Sequence, residues 1–434
     1  MTPFQRLQKD SLLSALLLAA SLVTAESLLF KKSVFGWKTI LEVFLFLFAS
    51  VCLLPAAPLK TAQLLVEGQE PVRIACIGDS ITGIYYHSGG MRAYPELLQI
   101  ALQKIHPQAQ VTVHNAGISG DTTARGLVRL ERDVLSHKPH LVTIMFGMND
   151  LVRTPVADFQ NNLREIIRRC RAIDAEVILC TQNSVVENPK WTGAKVAEFT
   201  QAIRDIARAE SLPVADCFAA VEAIHAKDAL EWNLLLSDSI HPNIAGHKLF
   251  AETIAQTITG QKTSLADIGP PLPALSHTLA LLKAGKPVKV LAMPPYDTLI
   301  APAIQQLYPE ANVIVTPWPV DGQKIGRLEE SAKKVRTMQQ NLVIIAIPSS
   351  LSAKDPKLFQ KCYSGIMSSS LSFGPQQWDV IVALPSTTKA ELTVKEQEQE
   401  ALARRMIEAQ DLHMLAGDAS ALNTLLTQSL KPQN

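Results

Sequence analysis

The sequence lacks the cysteine patterns that mark metal sites and disulfide-rich folds. Its 434 residues contain six cysteines, and no two of them have the spacing of a Cys-x-x-Cys motif. This excludes a zinc module and a small disulfide scaffold, and we expect no metal site. The cysteines are expected to be buried thiols, and a disulfide between Cys180 and Cys217 is an open alternative.

The chain also lacks an excess of charge of either sign. It has 41 basic and 40 acidic residues, for a formal net charge of +1. Binding to nucleic acid needs a basic surface, so this balance argues against a nucleic-acid partner. Hydrophobic residues make up 47% of the chain, and its length is that of two or three domains, each with its own core.

The longest apolar segments lie within residues 1–64, which we interpret as a hydrophobic signal or anchor region. Residues 12–25 are apolar, and so are residues 39–57 apart from Glu42, with three lysines between the two segments. A cleaved signal peptide fits this pattern, and so does a hairpin of two membrane spans. Either one places the rest of the chain outside the cytoplasmic membrane, secreted or membrane-anchored. A hydrophobic helix packed on the following domain is the third alternative.

From residue 72 onward, short apolar runs alternate with amphipathic stretches. The runs predict strands, because strands buried on both faces of a parallel sheet are apolar throughout. They cover residues 72–77, 111–114, 141–146, 176–181 and 213–216. The amphipathic stretches predict helices over residues 95–105, 121–136, 156–173 and 195–209. Repeated strand–helix units predict an α/β domain with a doubly wound parallel sheet.

Residues with catalytic potential follow the predicted strands. Ligands of such a sheet bind beyond the carboxyl ends of its strands. Ser80 follows the first strand, Gly117 the second and Asn149 the third. Asp238 and His241 come later in the chain, three residues apart and just before a helix.

These five residues can supply the parts that a serine esterase needs. Ser80 offers a hydroxyl nucleophile, His241 can take its proton, and Asp238 can fix the tautomer of His241. The Ser80 N–H and the Asn149 amide can stabilise an oxyanion, and Gly117 allows a close approach of the backbone. Each motif alone is common by chance. Their occurrence together, in this order and each after its strand, favours a catalytic site.

The same motifs resemble the four sequence blocks of the SGNH (GDSL-type) hydrolase superfamily. The matching blocks are Gly-Asp-Ser-Ile-Thr at 78–82, Gly117, Gly-Met-Asn-Asp at 147–150 and Asp-Ser-Ile-His-Pro at 238–242. The resemblance covers roughly residues 71–259.

This resemblance implies a three-layer α/β/α, flavodoxin-like hydrolase domain with a parallel sheet. It implies that Ser80, Asp238 and His241 form a catalytic triad. It also implies that the N–H groups of Ser80 and Gly117 and the amide of Asn149 form the oxyanion hole. The superfamily uses no metal or organic cofactor. It includes acetylesterases acting on carbohydrates, lysophospholipases and thioesterases.

Further residues lie close to these motifs. Asn183 and Trp191 follow the fourth strand and are candidate substrate contacts. Residues 85–87 (Tyr-Tyr-His) either line an acyl pocket or pack against the next helix. His247 is interpreted as a packing residue.

The second half of the chain repeats the pattern of the first. A Pro-rich linker at 261–280 separates a catalytic domain at 70–260 from a second, smaller α/β domain at 281–434. Apolar strand sequences, a proline before the second strand and a Phe-Gln pair recur in the same order and at similar spacing. This favours a duplication over the alternative that any two α/β domains share apolar strands.

The second copy has lost the residues that the chemistry requires. Pro-Pro-Tyr at 294–296 stands where the first copy has Gly-Asp-Ser, and Pro-Ser-Ser at 348–350 replaces the block around Asn149. No Asp-x-x-His-Pro motif follows. We therefore expect a degenerate, non-catalytic SGNH-like domain, with Tyr296 near the position equivalent to Ser80.

The sequence thus predicts a serine esterase that hydrolyses O-acyl esters through an acyl-serine intermediate. The favoured substrate carries short acyl groups, such as acetyl, on an extracytoplasmic carbohydrate or glycoconjugate. A lysophospholipase or thioesterase is the alternative enzyme. A membrane-tethered binding protein is the non-enzymatic alternative.

Overall fold

The structure, a computed structural model, describes residues 59–351, 355–389, 391–418 and 420–430. The predicted signal or anchor region therefore lies outside the described residues, except for its last few positions. No helix within the described ranges is both long and apolar enough to cross a membrane.

The first sheet is built from the five predicted strands. They are β1 (Val72–Gly78), β2 (Val111–Gly117), β3 (Leu141–Met145), β4 (Glu176–Cys180) and β5 (Val214–Ala215). All pairs are parallel, and the order across the sheet is β2-β1-β3-β4-β5. The predicted doubly wound α/β fold is confirmed.

Nine helices accompany this sheet in the described part of the chain. They are α1 (Lys60–Glu67), α2 (Tyr94–Ile105), α3 (Thr123–Asp133), α4 (Asp150–Arg153), α5 (Val156–Arg171), α6 (Gly193–Ala209), α7 (Cys217–His225), α8 (Ala229–Asn233) and α9 (Ile244–Thr259). Helix α5 shows why they form, because its apolar residues recur at helical spacing and face the core. Its buried residues are Phe159, Leu163, Ile166, Ile167 and Cys170. Each of the larger side chains contributes roughly 1.5–3 kcal/mol when buried.

Helix α1 precedes the predicted start of the catalytic domain and packs on it. Leu65 is fully buried in the core of the first sheet. The N–H groups of Lys60 and Thr61 donate to the Glu176 carboxylate at 2.7 and 2.8 Å. A carboxylate at this end of a helix satisfies free N–H groups and complements the helix dipole.

The second sheet repeats the strand order of the first. Its strands are β6 (Val288–Ala292), β7 (Val313–Pro317), β8 (Leu342–Ala346), β9 (Asp379–Ala383) and β10 (His413–Leu415). They are parallel in the order β7-β6-β8-β9-β10. Its helices are α10 (Ser276–Lys283), α11 (Tyr296–Leu307), α12 (Ile325–Ala332), α13 (Pro356–Ser370), α14 (Val394–Ala409) and α15 (Ala421–Leu430). The predicted second α/β domain is therefore present.

Each sheet has its own hydrophobic core, and the linker contributes to both. Leu265 is fully buried in the first core and Leu275 in the second. Two residues from the first half, Leu234 and Tyr86, belong to or pack against the second core. The two halves are therefore in direct contact through their side chains.

The described cysteines are all free and buried. They are Cys76, Cys170, Cys180, Cys217 and Cys362. The alternative of a Cys180–Cys217 disulfide is therefore wrong for this structure. Burial raises the pKa of the Cys76 thiol to about 12, which keeps it protonated and unreactive.

Candidate active site

The register of the first sheet brings the predicted site residues to one edge. Gly78 at the end of β1 pairs with Gly117 on β2 and with Met145 on β3. Because the three strands end level, the segments that carry Ser80 and Asn149 emerge side by side. The sheet thus collects at one place residues that are far apart in sequence.

Ser80 and His241 are in hydrogen-bond contact across 161 positions of sequence. The Ser80 Oγ lies 2.9 Å from His241 Nε2. Ser80 is only 7% exposed, so its hydroxyl faces a sheltered site rather than bulk solvent. This is the contact that activates a serine nucleophile.

Asp238 holds the other nitrogen of the imidazole. Its Oδ2 lies 2.8 Å from His241 Nδ1, and its Oδ1 accepts the N–H groups of Ile240 and His241 at 2.9 Å each. Burial opposes ionisation of the carboxyl group. The facing imidazole and the donated hydrogen bonds outweigh burial, and the pKa of Asp238 lies well below its usual range. The three predicted triad residues are therefore linked side chain to side chain, with an ionised carboxylate at one end.

Asp79 is a buried carboxyl group that bonds to an amide beside Ser80. It is fully buried and accepts hydrogen bonds from the Ile81 N–H, from Gln182 Nε2 and from Asn149 Nδ2 at 3.0, 3.0 and 3.3 Å. Burial raises the pKa of Asp79 to about 6, although the donated bonds lower it in part. One N–H of the Asn149 amide is used here. The other is left for a ligand.

Two of the three predicted oxyanion donors have a free N–H. The Ser80 N–H donates to no acceptor among the described residues, and Asn149 has its second amide hydrogen. The Gly117 N–H, in contrast, donates to Asn115 Oδ1 at 3.0 Å. The assignment of Gly117 as a donor therefore needs correction, since its N–H is occupied within its own loop.

Gly120, three residues further along the same loop, has the free N–H that Gly117 lacks. Its φ of +78° is a left-handed conformation that favours glycine. Its N–H meets no acceptor in the described chain. Its carbonyl accepts a hydrogen bond from Arg153 Nη1 at 2.7 Å, which ties the loop to the helix that Asn149 precedes. The signal for this residue is the second glycine of Gly-Ile-Ser-Gly at 117–120.

Gly117 is required for a different reason, which is backbone packing. A Cβ at this position would lie 2.2 Å from the Gly83 nitrogen and 2.5 Å from the Thr82 carbonyl carbon. The loop after β2 therefore lies directly on the loop after β1. A second contact joins the same two loops, because the Ser119 N–H donates to the Tyr85 hydroxyl at 2.7 Å.

The two predicted substrate contacts are engaged in protein contacts. Asn183 is 1% exposed, and its Nδ2 donates to the carbonyl of Ile240 at 3.0 Å. It therefore supports the loop that carries His241. Trp191 is partly exposed, and its indole N–H donates to the Met148 carbonyl at 2.9 Å. Trp191 keeps part of its ring accessible, whereas Asn183 does not reach the surface.

Two buried histidines lie beneath the imidazole of His241. The ring of His87 stacks on His241 at 4.5 Å and on His247 at 5.5 Å. Both His87 and His247 are fully buried. Burial lowers the pKa of His247 to about 3 and that of His87 well below its ordinary value, so both stay neutral. They pack under the triad and bring no positive charge to it.

Tyr86 contacts the triad directly. Its hydroxyl donates to Asp238 Oδ2 at 2.5 Å and lies 3.3 Å from His241 Nδ1. Sequence reasoning gave Tyr86 two other roles, acyl-pocket lining and packing. No sequence signal could distinguish it, because the contact depends on how the loop after β1 folds back.

The second half shows no equivalent site in its described residues. Tyr296 is buried, and its hydroxyl lies 2.7 Å from Thr387 Oγ1 rather than beside a histidine. Asp411 pairs with Arg92, and His413 Nε2 lies 2.9 Å from the Pro271 carbonyl. Within the described ranges, no cluster of three or more histidine, cysteine or acidic side chains could hold a metal ion.

Comparison with known proteins adds a family match to this geometry. A model of the GDSL-like Lipase/Acylhydrolase family matches residues 76–249. This range contains Ser80, Asp238 and His241 and ends within α9.

Three enzymes illustrate the relatives that this chain resembles. An acetylxylan esterase of Geobacillus stearothermophilus is 26% identical, over 36% of this chain and 76% of that protein. An arylesterase of Vibrio mimicus is 30% identical, over 44% of this chain and 90% of that protein. The Escherichia coli (strain K12) protein described as thioesterase 1/protease 1/lysophospholipase L1 is 29% identical, over 42% of this chain and 81% of that protein.

Proposed function

The chain belongs to the GDSL-like lipase/acylhydrolase family and is an ester-hydrolysing enzyme, and from this premise we propose that Ser80, His241 and Asp238 are its catalytic triad. The observation that carries the proposal is the continuous chain of contacts from Ser80 Oγ through His241 to Asp238, at 2.9 and 2.8 Å. A tethered binding protein would have no need of this arrangement.

In the proposed reaction, Ser80 Oγ attacks the ester carbonyl while His241 Nε2 takes the hydroxyl proton. The bond to the alcohol oxygen then breaks, and His241 gives that proton to the departing alcohol. Water attacks the acyl-serine with His241 again as base, which releases the acid and restores Ser80. Asp238 stays ionised and holds the imidazole in the required orientation.

The proposed oxyanion donors are the Ser80 N–H, the free N–H of Asn149 and the Gly120 N–H. Gly120 replaces Gly117 in this role because the Gly117 N–H is already bonded to Asn115. Preorganised donors of this kind stabilise charge that develops only during the reaction.

For the substrate, we propose short O-acyl esters, acetyl among them, of a carbohydrate or glycoconjugate. One relative is by name an acetylxylan esterase. A second support is a cavity of about 760 Å³ between the two halves, which borders the triad at Asp238 and Ser239. Of the three proposed triad residues only Asp238 lines it, and the cavity offers room for a bulky alcohol portion near this end of the triad.

The lining of this cavity is largely apolar, and the feature that favours a hydroxyl-rich ligand is a set of polar groups placed among the apolar ones. It combines an aromatic and aliphatic floor with amides and charges of both signs. Polar members include Asn188, Asn233, Glu329, Lys357, Gln360 and Lys361. Gln360 is 5% exposed, and neither atom of its amide has a partner among the described residues. Sugar hydroxyl groups would satisfy this amide, whose burial without partners is costly.

A series of p-nitrophenyl esters tests the substrate class. We expect kcat/KM to be highest for acetate and to fall about 10-fold or more by octanoate, because the site is proposed to be short on the acyl side. We also expect the full chain to release acetate from an acetylated oligosaccharide. Gln360→Ala should raise KM for that oligosaccharide and leave hydrolysis of p-nitrophenyl acetate unchanged.

The alternative is a lysophospholipase or thioesterase, in line with the name of the Escherichia coli relative. A kcat/KM that rises with chain length to octanoate and beyond, together with no release of acetate from the oligosaccharide, would establish that alternative. If Gln360→Ala and the unaltered chain had equal KM values for the oligosaccharide, the cavity would not be its binding site. The assignment as an esterase would be unaffected.

For the domain organisation, we propose a catalytic domain at 70–260, a linker at 261–280 and a non-catalytic duplicate at 281–434. The shared strand order supports a duplication. The absence of a base beside Tyr296 in the described residues supports the loss of activity. Labelling of any serine in the second half by a fluorophosphonate, in a chain carrying Ser80→Ala, would contradict this assignment.

For location, we propose that the catalytic domain acts outside the cytoplasmic membrane. The support is the apolar character of residues 12–25 and 39–57. A reporter that is active only outside the cytoplasm, fused at the C-terminus of the full chain, should be active. An inactive reporter on an intact fusion protein would overturn the proposed location.

A further inference from the structure

The Asp238 carboxylate receives a hydrogen bond that a triad alone does not supply. Its Oδ2 accepts from two side chains, the Tyr86 hydroxyl at 2.5 Å and the His241 ring at 2.8 Å. Burial, and next the negative charge of Asp238, raise the pKa of Tyr86, so the hydroxyl keeps its proton and stays a donor. Tyr86 therefore fixes the position of the oxygen on which the orientation of His241 depends.

Tyr86 itself is held by the second half of the chain. Its backbone N–H donates to the Phe373 carbonyl at 3.0 Å, which anchors the loop that follows the nucleophile. Its ring is covered by the Arg336 guanidinium, whose central carbon lies 4.7 Å from the ring centroid. A cation over an aromatic face is an attractive contact, and more so where water is largely excluded.

Arg336 is fixed in turn within the second half. Its Nε donates to the Leu371 carbonyl at 2.9 Å, and its Nη2 donates to the Ser368 carbonyl at 2.7 Å. These bonds hold the guanidinium plane in place, so the surface on which the Tyr86 ring packs is fixed. Close by, Ser237, the neighbour of Asp238, lies 2.8 Å from Ser368 through its hydroxyl.

We infer that Tyr86 is a positioning residue for Asp238 and that the second half of the chain, through Arg336 and the Phe373 carbonyl, holds Tyr86 in place. The duplicate half then supports catalysis in the first half without contributing a catalytic residue. The inference rests on the proposed triad, because it assigns Tyr86 an effect that reaches the substrate only through Asp238 and His241.

Tyr86→Phe tests the hydroxyl alone, because the ring, its contact with Arg336 and the backbone bond to Phe373 all remain. We expect kcat on p-nitrophenyl acetate to fall about 10- to 100-fold, the range for a hydrogen bond to a charged group, with little change in KM. The acid limb of the kcat/KM profile should move to higher pH. The reason is that, without the Tyr86 hydroxyl, the negative charge of Asp238 is no longer shared with this donor and attracts a protonated imidazole more strongly.

Arg336→Met tests whether the contact of Arg336 with the Tyr86 ring affects catalysis. We expect kcat to fall about 3- to 10-fold, as for loss of a partly buried cation–π contact. The double-mutant cycle is the sharper readout. In the Tyr86→Phe background, Arg336→Met should cost little further activity, because the hydroxyl that it positions is already gone. Independent effects that multiply would show that Arg336 does not act through Tyr86.

Arg405→Met is the matched control. It also removes an arginine contact between the halves, since Arg405 Nη2 lies 2.5 Å from the Glu231 carboxylate, but it touches neither Tyr86 nor Arg336. Its kcat and pH profile should equal those of the unaltered chain. Thermal unfolding of each variant shows whether a loss of activity merely reflects loss of fold.

An unchanged kcat and pH profile in Tyr86→Phe would overturn the inference. If Ser80→Ala were inactive at the same time, the proposed triad would stand and only the role of Tyr86 would fail. Full activity in Ser80→Ala would instead defeat the proposed function, and the inference with it.

Discussion

Ser80→Ala is expected to lower kcat by roughly 10⁴- to 10⁶-fold, the loss seen when a member of a serine triad is removed. The reason is that the variant has no atom to form the acyl intermediate. His241 also loses the hydroxyl from which it takes a proton. Residual turnover above the rate in water comes from the oxyanion donors and substrate binding. The measurement is steady-state hydrolysis of p-nitrophenyl acetate by the purified full chain.

A serine-directed fluorophosphonate provides an independent readout. It should label Ser80 in the unaltered chain and leave Ser80→Ala unlabelled. Ser136→Ala is a suitable control, because this exposed serine bonds only the Arg132 carbonyl, at 2.7 Å, on the surface of the same domain. Labelling that persists in Ser80→Ala would mean that another serine is the nucleophile.

Asn149→Ala is expected to lower kcat about 10²- to 10³-fold with little change in KM. In the proposed mechanism the free N–H of Asn149 meets an oxygen that carries full negative charge only during the reaction, so its loss should affect the chemical step rather than binding. The fold should survive, since Asp79 keeps its bonds from Ile81 and Gln182.

The isosteric Asn149→Asp separates the donor from the shape of the side chain. It fills the same volume but replaces the donor with an acceptor, next to the buried carboxyl group of Asp79. We expect its kcat to be no higher than that of Asn149→Ala. If Asn149→Ala kept its kcat and raised KM instead, Asn149 would be a contact to the bound ester and not an oxyanion donor.

The fold could be predicted because buried parallel strands leave a plain record in sequence. The run Leu141–Met145 is buried at every position and apolar at all but Thr143, so no polar face obscures it. The helices were equally clear wherever a hydrophobic stripe faced the core, as in α5. The repeated strand sequences also predict that the second half has the strand order of the first, and the two observed orders match.

The contacts among Ser80, His241 and Asp238 could be predicted because these residues lie next to a strand end or within one turn of each other. Gly117 shows the limit of this reasoning. Sequence identifies a glycine but not the reason for it, and here the reason is the backbone of Gly83 rather than an oxyanion. Asn183 was placed at the correct edge of the sheet, yet a sequence does not show that its amide turns toward Ile240. Tyr86 and Arg336 were missed because their contact joins positions 250 residues apart in two different domains.

The close contact of Gly117 with Gly83 has a consequence for how the site operates. The loop that carries the nucleophile and the loop that carries Gly120 cannot slide past one another, because their backbones touch and Tyr85 bonds across them. We therefore expect the proposed oxyanion donors on these two loops to be in place before substrate binds. Differences in the ester that is accepted are then expected to depend on the cavity between the two halves, whose lining contains no residue of this pair of loops.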